Sequence, residues 1–160
     1  MTISAQDLAE VTRQLGRPAR DILEIAARCV CGRPLVVKTN PRLSDGTPFP
    51  TLFYLTQPAV TAAVSTLEAT GLMAELQQQL ATDESLRQQY EDAHRSYLKE
   101  REAILIVSEI EDFSAGGMPE RVKCLHALVA HSLAKGPGVN PIGDIALENL
   151  TWSQSSCSCQ

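Results

Sequence analysis

Apolar positions along the chain change period twice. Leu8, Val11 and Leu15 recur at helical spacing behind Ser4, a capping residue with Asp7 in support, and ahead of Gly16, which predicts a helix over residues 5–15. The pattern then shortens into three strand-like runs, Ile22-Leu23-Glu24-Ile25-Ala26-Ala27, Leu35-Val36-Val37-Lys38-Thr39 and Thr51-Leu52-Phe53-Tyr54-Leu55-Thr56. After Pro58 the helical period returns. Val60, Val64 and Leu67 predict a helix closed by Gly71, and a second runs from Leu72 to about Ala81. A long helix capped by Thr82 carries Leu86, Tyr90, Ala93, Tyr97 and Ile104 on one stripe, with Glu100 and Arg101 on its wet side. A further helix is expected to start at the Gly116-Gly117 turn, with Pro119 in its first turn, and to run to Lys135-Gly136. A short helix around Asp144 to Leu150 follows. The fold class expected is α+β: a three-stranded antiparallel sheet over about residues 22–56 packed on a mainly helical remainder, in one domain over residues 1–150.

Two loops stand out from this periodic background. The segment from Asn40 to Pro50 holds three prolines with Leu43 and Phe49 as apolar anchors, which favours an ordered loop. Gly136-Pro137-Gly138-Val139-Asn140-Pro141 reads as a second rigid loop. Residues 151–160 are polar and without period, so a disordered tail is expected there and its Cys157 and Cys159 are set aside as site residues.

Composition narrows the class. A chain of 160 residues, 44% hydrophobic and 21% charged, suits one globular domain. A net charge of -5 disfavours nonspecific nucleic-acid binding, although it permits a local cationic pocket. No run approaches the roughly 18 apolar residues of a membrane span, and the amino terminus lacks a signal-peptide pattern, so no membrane partner and a cytoplasmic location are expected. Five cysteines in a reducing compartment would be thiols unless they hold a metal.

Reactive side chains crowd into two stretches, Arg28-Cys29-Val30-Cys31-Gly32 and the segment from Gly116 to His126. On an undistorted helix advancing about 100° per residue, Val122, Leu125, Leu128, Val129 and Leu133 form the core face. Cys124 and His131 fall on one edge of it and His126 on the other. Cys124 and His126 therefore cannot aim at one ion from a regular helix, and about 10 Å of rise separates Cys124 from His131.

These motifs, together with Pro41-Arg42-Leu43-Ser44-Asp45-Gly46-Thr47-Pro48-Phe49-Pro50-Thr51 and the loop from Gly136 to Pro141, resemble the bacterial family called domain of unknown function 501, common in actinobacteria. The resemblance covers about Leu15 to Leu150 and rests on four motifs in order. It implies a cytoplasmic bacterial protein with a shared site, and it supplies no substrate. A typical member has proline where this chain has Val30, and the cysteine-bearing tail is peculiar to this sequence.

Three functional readings follow. In the first, Cys29, Cys31 and Cys124 converge as thiolates with His131 or His126 as fourth ligand of a zinc ion, which organises the domain. An anion pocket adjoins it, built by Arg42, Asp45, Thr47, Gly117, Arg121, Lys123 and Asn140, with free amides at a helix start near Gly117. In the second, the protein is an enzyme acting on a small phosphate- or carboxylate-bearing substrate, with Cys124 as nucleophile and His126 as acid and base. In the third, it is a protein-binding regulator.

Overall fold

The computed structural model describes residues 3–159. Helix α1 (Ala5–Leu15) starts where Ser4 Oγ accepts the Asp7 N–H at 3.1 Å and stops at Gly16, whose φ of 69° lies in the left-handed region. Strands β1 (Ile22–Arg28), β2 (Pro34–Thr39) and β3 (Phe53–Leu55) form an antiparallel sheet in that order, with Ile25 opposite Val37 and Val36 opposite Leu55. The expected α+β class and its three-stranded sheet are borne out. Between β2 and β3 the proline-rich segment folds back on itself, with Arg42 bridging to Pro48 and Asp45 Oδ1 accepting the Thr47 N–H at 2.9 Å.

Helices α2 (Pro58–Glu68), α3 (Leu72–Thr82) and α4 (Glu84–Ile104) follow. Thr82 is the last residue of α3, and the cap of α4 is Asp83, whose Oδ1 accepts the Leu86 N–H at 3.0 Å. A carboxylate is the better acceptor at the positive end of a helix. Arg101 was expected on the wet side of α4, yet it is 2% exposed. Its guanidinium donates to Pro50 O at 2.7 Å and Ile110 O at 2.6 Å, so it ties the proline loop to the turn after α4. Two carbonyl acceptors repay the burial of a cation that pattern alone places outside.

The largest departure lies after Gly116. Residues 116–120 form turns, 121–124 have no regular structure, and helix α5 begins only at Leu125, running to Lys135. Neighbouring helices take the backbone groups that a longer helix would have used: the Val122 N–H donates to Gln77 Oε1 at 2.9 Å, and Arg121 O accepts the Tyr90 hydroxyl at 2.6 Å. Gly117, at φ 98°, permits the fold-back, because a Cβ there would lie 2.6 Å from Arg121 O. Helix α6 (Pro141–Glu148) starts earlier than expected, with Asn140 Oδ1 accepting the Gly143 N–H at 2.9 Å. A Cβ on Gly143 would meet Leu128 O at 2.2 Å, so only glycine allows α6 to approach α5 this closely.

Helix α5 packs on β3 and α6, and its buried face of Leu125, Leu128 and Val129 meets Leu35, Phe53 and Tyr97 in the core. The tail joins that core. Trp152 is 7% and Cys159 2% exposed, and Gln154 Nε2 donates to Arg28 O at 3.0 Å. The expectation of a disordered tail is corrected accordingly: one indole and one thiol anchor a segment that is otherwise polar. No helix of the described residues is long and apolar enough to cross a membrane.

Candidate metal centres

The β1–β2 hairpin brings Cys29 and Cys31 to one end of the sheet. Its turn is held by Cys29 N–H donating to Arg33 O at 2.9 Å and Gly32 N–H to Cys29 O at 2.8 Å, and Gly32 supplies the φ of 91° that the reversal needs. The tail returns over this turn, where the Arg33 guanidinium donates to Cys159 O. As a result the sulfurs of Cys29, Cys31, Cys157 and Cys159 lie within 4.8 Å of one another, all as free thiols. Four sulfurs around a tetrahedral zinc ion, bonded at about 2.3 Å, sit about 3.8 Å apart, so the cluster fits such an ion with small closing shifts. Cys29 and Cys159 are buried while Cys31 and Cys157 face solvent.

The electrostatics of this cluster are asymmetric. The Arg33 backbone N–H, aided by the neighbouring thiols, draws Cys31 down to about 7, whereas burial, then Cys29 and Cys31, push Cys159 up to about 12. Cys31 thus gives up its proton well before Cys159. Four thiolates cannot accumulate here without a cation to balance them.

Cys124 stands apart from this cluster, contrary to the expectation that it would converge with Cys29 and Cys31. It belongs to a second group, in which one ligand atom each from Glu68, Cys124 and His126 lie within 4.8 Å of one another. Cys124 precedes α5 with extended backbone, φ -146° and ψ 105°, so its side chain is freed from the helical wheel that separates it from His126. His126 Nδ1 lies 3.3 Å from Glu68 Oε1, and its Nε2 lies 3.2 Å from Ser65 Oγ and 3.3 Å from Thr61 O. Glu68 Oε2 accepts the Leu125 N–H at 2.8 Å. The imidazole of His126 and the Ala127 N–H lower the Cys124 thiol against partial burial and the Glu68 carboxylate, while Cys124 and then Glu68 raise His126 against its burial.

The other expected ligand, His131, is a core residue. Its ring stacks on Phe53 at 5.8 Å and meets Tyr97 edge-on at 4.9 Å; Nδ1 pairs with Asn140 Nδ2 at 3.1 Å. Burial lowers its pKa to about 4, so it is neutral at physiological pH. The apolar face of α5 carries it inward, away from both clusters.

The residues of the expected anion pocket are divided among separate tasks. Arg42 pairs with Glu109 at 2.8 Å, and the turn-forming Asp45, with Thr47 hydrogen-bonded to it, lies at the surface. Asp45 lines a cleft of about 240 Å³ with Arg17, Arg20, Asp21, Phe49 and Tyr54. Arg121 and Lys123 are exposed, and Gly117 is spent on the chain reversal. Asn140 is fully buried, with Oδ1 given to Gly143 and Nδ2 to His131 and Met118. The free amides expected near Gly117 are absent because α5 starts at Leu125, whose N–H meets Glu68.

A family profile described as "Protein of unknown function (DUF501)" matches residues 25–148. The chain belongs to that family. The match spans Cys29, Cys31, Glu68, Cys124 and His126 and ends before Cys157 and Cys159. Neither the curated proteins nor the solved structures contain a match to the chain. Sequence reasoning passed over the tail pair and Glu68. The signals for the tail were the repeated spacing, Cys29-Val30-Cys31 and Cys157-Ser158-Cys159, and a tryptophan just upstream; Glu68 leaves no comparable mark.

Proposed function

We propose that the protein is a metal-organised domain in which Cys29, Cys31, Cys157 and Cys159 hold one structural zinc ion. The reading rests on four sulfurs gathered within 4.8 Å without disulfide bonds. An all-thiolate set suits zinc, and because it fills every tetrahedral position it leaves none for a substrate, which is the arrangement of structural rather than catalytic sites. The role of the ion is mechanical: it fastens the tail, which has few buried apolar groups of its own besides Trp152 and Cys159, to the hairpin turn. Elemental analysis of the full chain, purified without chelator, tests this. One equivalent of zinc lost in the Cys157→Ser/Cys159→Ser variant is expected. Metal content unchanged by that variant, or tail thiols that alkylate freely in zinc-loaded protein, would overturn the reading.

A further inference from the structure

We propose that Glu68 Oε1, Cys124 Sγ and His126 Nδ1 form a second metal site, open where the first is closed, for one zinc-class divalent ion with water in its fourth position. The ligand atoms come from the end of α2, the cap of α5 and its first turn, and they supply one oxygen, one sulfur and one nitrogen within 4.8 Å. The Nδ1 to Oε1 separation of 3.3 Å is longer than the roughly 2.7–2.9 Å of a charge-assisted hydrogen bond. It equals the edge of about 3.3 Å between two ligands that each lie about 2.0 Å from a tetrahedral ion.

The atoms behind the ligands are tied as a metal site requires. The Thr61 carbonyl can only accept, so it keeps a proton on His126 Nε2 and makes Nδ1, which faces Glu68, the nitrogen that an ion would bind. Glu68 Oε2 is held by the Leu125 N–H, which turns Oε1 alone toward the site. Both features restrain the ligands through contacts the ion itself does not make. A carboxylate and a thiolate are neutralised by one divalent cation, which takes the place of the proton that otherwise bridges them to the imidazole. His126 and Glu68 side chains keep 27% and 26% of their exposure, so solvent reaches the open position. An ion with three protein ligands and one water is the arrangement that lowers the pKa of that water and prepares it for hydrolytic attack on a polarised carbonyl or phosphoryl group.

Cobalt(II) titration of the full chain after chelation separates this site from the four-cysteine one. Two equivalents are expected in the native protein and one in Cys124→Ser, with the four-thiolate charge-transfer bands retained. Glu68→Gln, which keeps an acceptor for the Leu125 N–H, reports the same loss should the cysteine variant fold poorly. If the four-cysteine reading alone is wrong, the native chain takes one equivalent and Cys124→Ser none. Uptake identical in the native, Cys124→Ser and Glu68→Gln chains would overturn the second site. So would alkylation of Cys124 by iodoacetamide as fast in zinc-loaded as in stripped protein, which would mark a metal-free thiolate beside an imidazolium.

Discussion

The hairpin corner and the α2–α5 corner use cysteine in opposite ways. At the hairpin, four like ligands come from a turn and a tail, segments with few apolar contacts of their own, and two of the sulfurs are buried. At the α2–α5 corner three unlike ligands sit on elements that the core already holds, since Val64 of α2 and Leu125 and Leu128 of α5 are fully buried. A metal at the first corner would supply order that packing does not, whereas a metal at the second would find its ligands in place. The contrast ties ligand chemistry to mechanical role: a closed set of thiolates on weakly packed chain stabilises structure, and a mixed, half-exposed set on rigid helices is preorganised for chemistry.

The largest expected effect is on the tail. Trp152 is the sole tryptophan and lies buried, so its emission reports tail docking. Chelation, or Cys157→Ser/Cys159→Ser, should shift that emission to the red and cost about 4 kcal/mol, an indole's burial and the tether combined. Cys124→Ser should change thermal stability by less than about 1 kcal/mol, because the half-buried thiol gives way to a hydroxyl of similar size on chain that the core already holds. Equal losses in both variants would abolish the contrast.

Next in size is the acid limb set by His131, a histidine that belongs to neither corner. It is held neutral in the fold, with a pKa of about 4, while the unfolded chain protonates it near the ordinary value. The unfolded state therefore binds more protons below about pH 6.5, so stability is full above that pH and falls by about 3 kcal/mol on descent to pH 4. His131→Phe, which keeps the stacking on Phe53, should flatten this limb in urea titrations and leave metal content unchanged. Loss of metal in that variant would return His131 to the ligands.

Within the hairpin corner, stripped protein should alkylate in a set order. Cys31, drawn down to about 7, reacts at neutral pH, and Cys159, pushed up to about 12, reacts last. Peptide mapping of partially labelled protein checks the order, and simultaneous labelling would show that the thiols do not interact. The smallest effect belongs to the Arg28–Asp7 pair, 2.8 Å apart at the surface, which links α1 to the hairpin beside the cluster. Arg28→Ala should cost at most about 1 kcal/mol by thermal melting and leave the metal bound.

Much of this architecture is decided by interactions within a few residues. Ser4 and Gly16 bound α1, Pro58 starts α2, a β-branched run makes β2 and an aromatic one makes β3; in each case the controlling contacts are local, so pattern and capping chemistry suffice to find them. The pairing of Cys29 with Cys31 at one turn belongs to the same class. Tertiary structure alone decided the rest. Gln77 and Tyr90 claim the backbone of residues 121 and 122 and delay α5, which releases Cys124 from the wheel that would hold it away from His126. Pro50 and Ile110 carbonyls draw Arg101 inside, and α5 turns His131 toward Phe53 rather than toward a thiol. Cys157 and Cys159 meet Cys29 and Cys31 across more than a hundred residues, and Glu68 reaches Cys124 from another helix. A sequence specifies which side chains can bind a metal, but contact over such separations depends on how the whole core packs, and no local period encodes that.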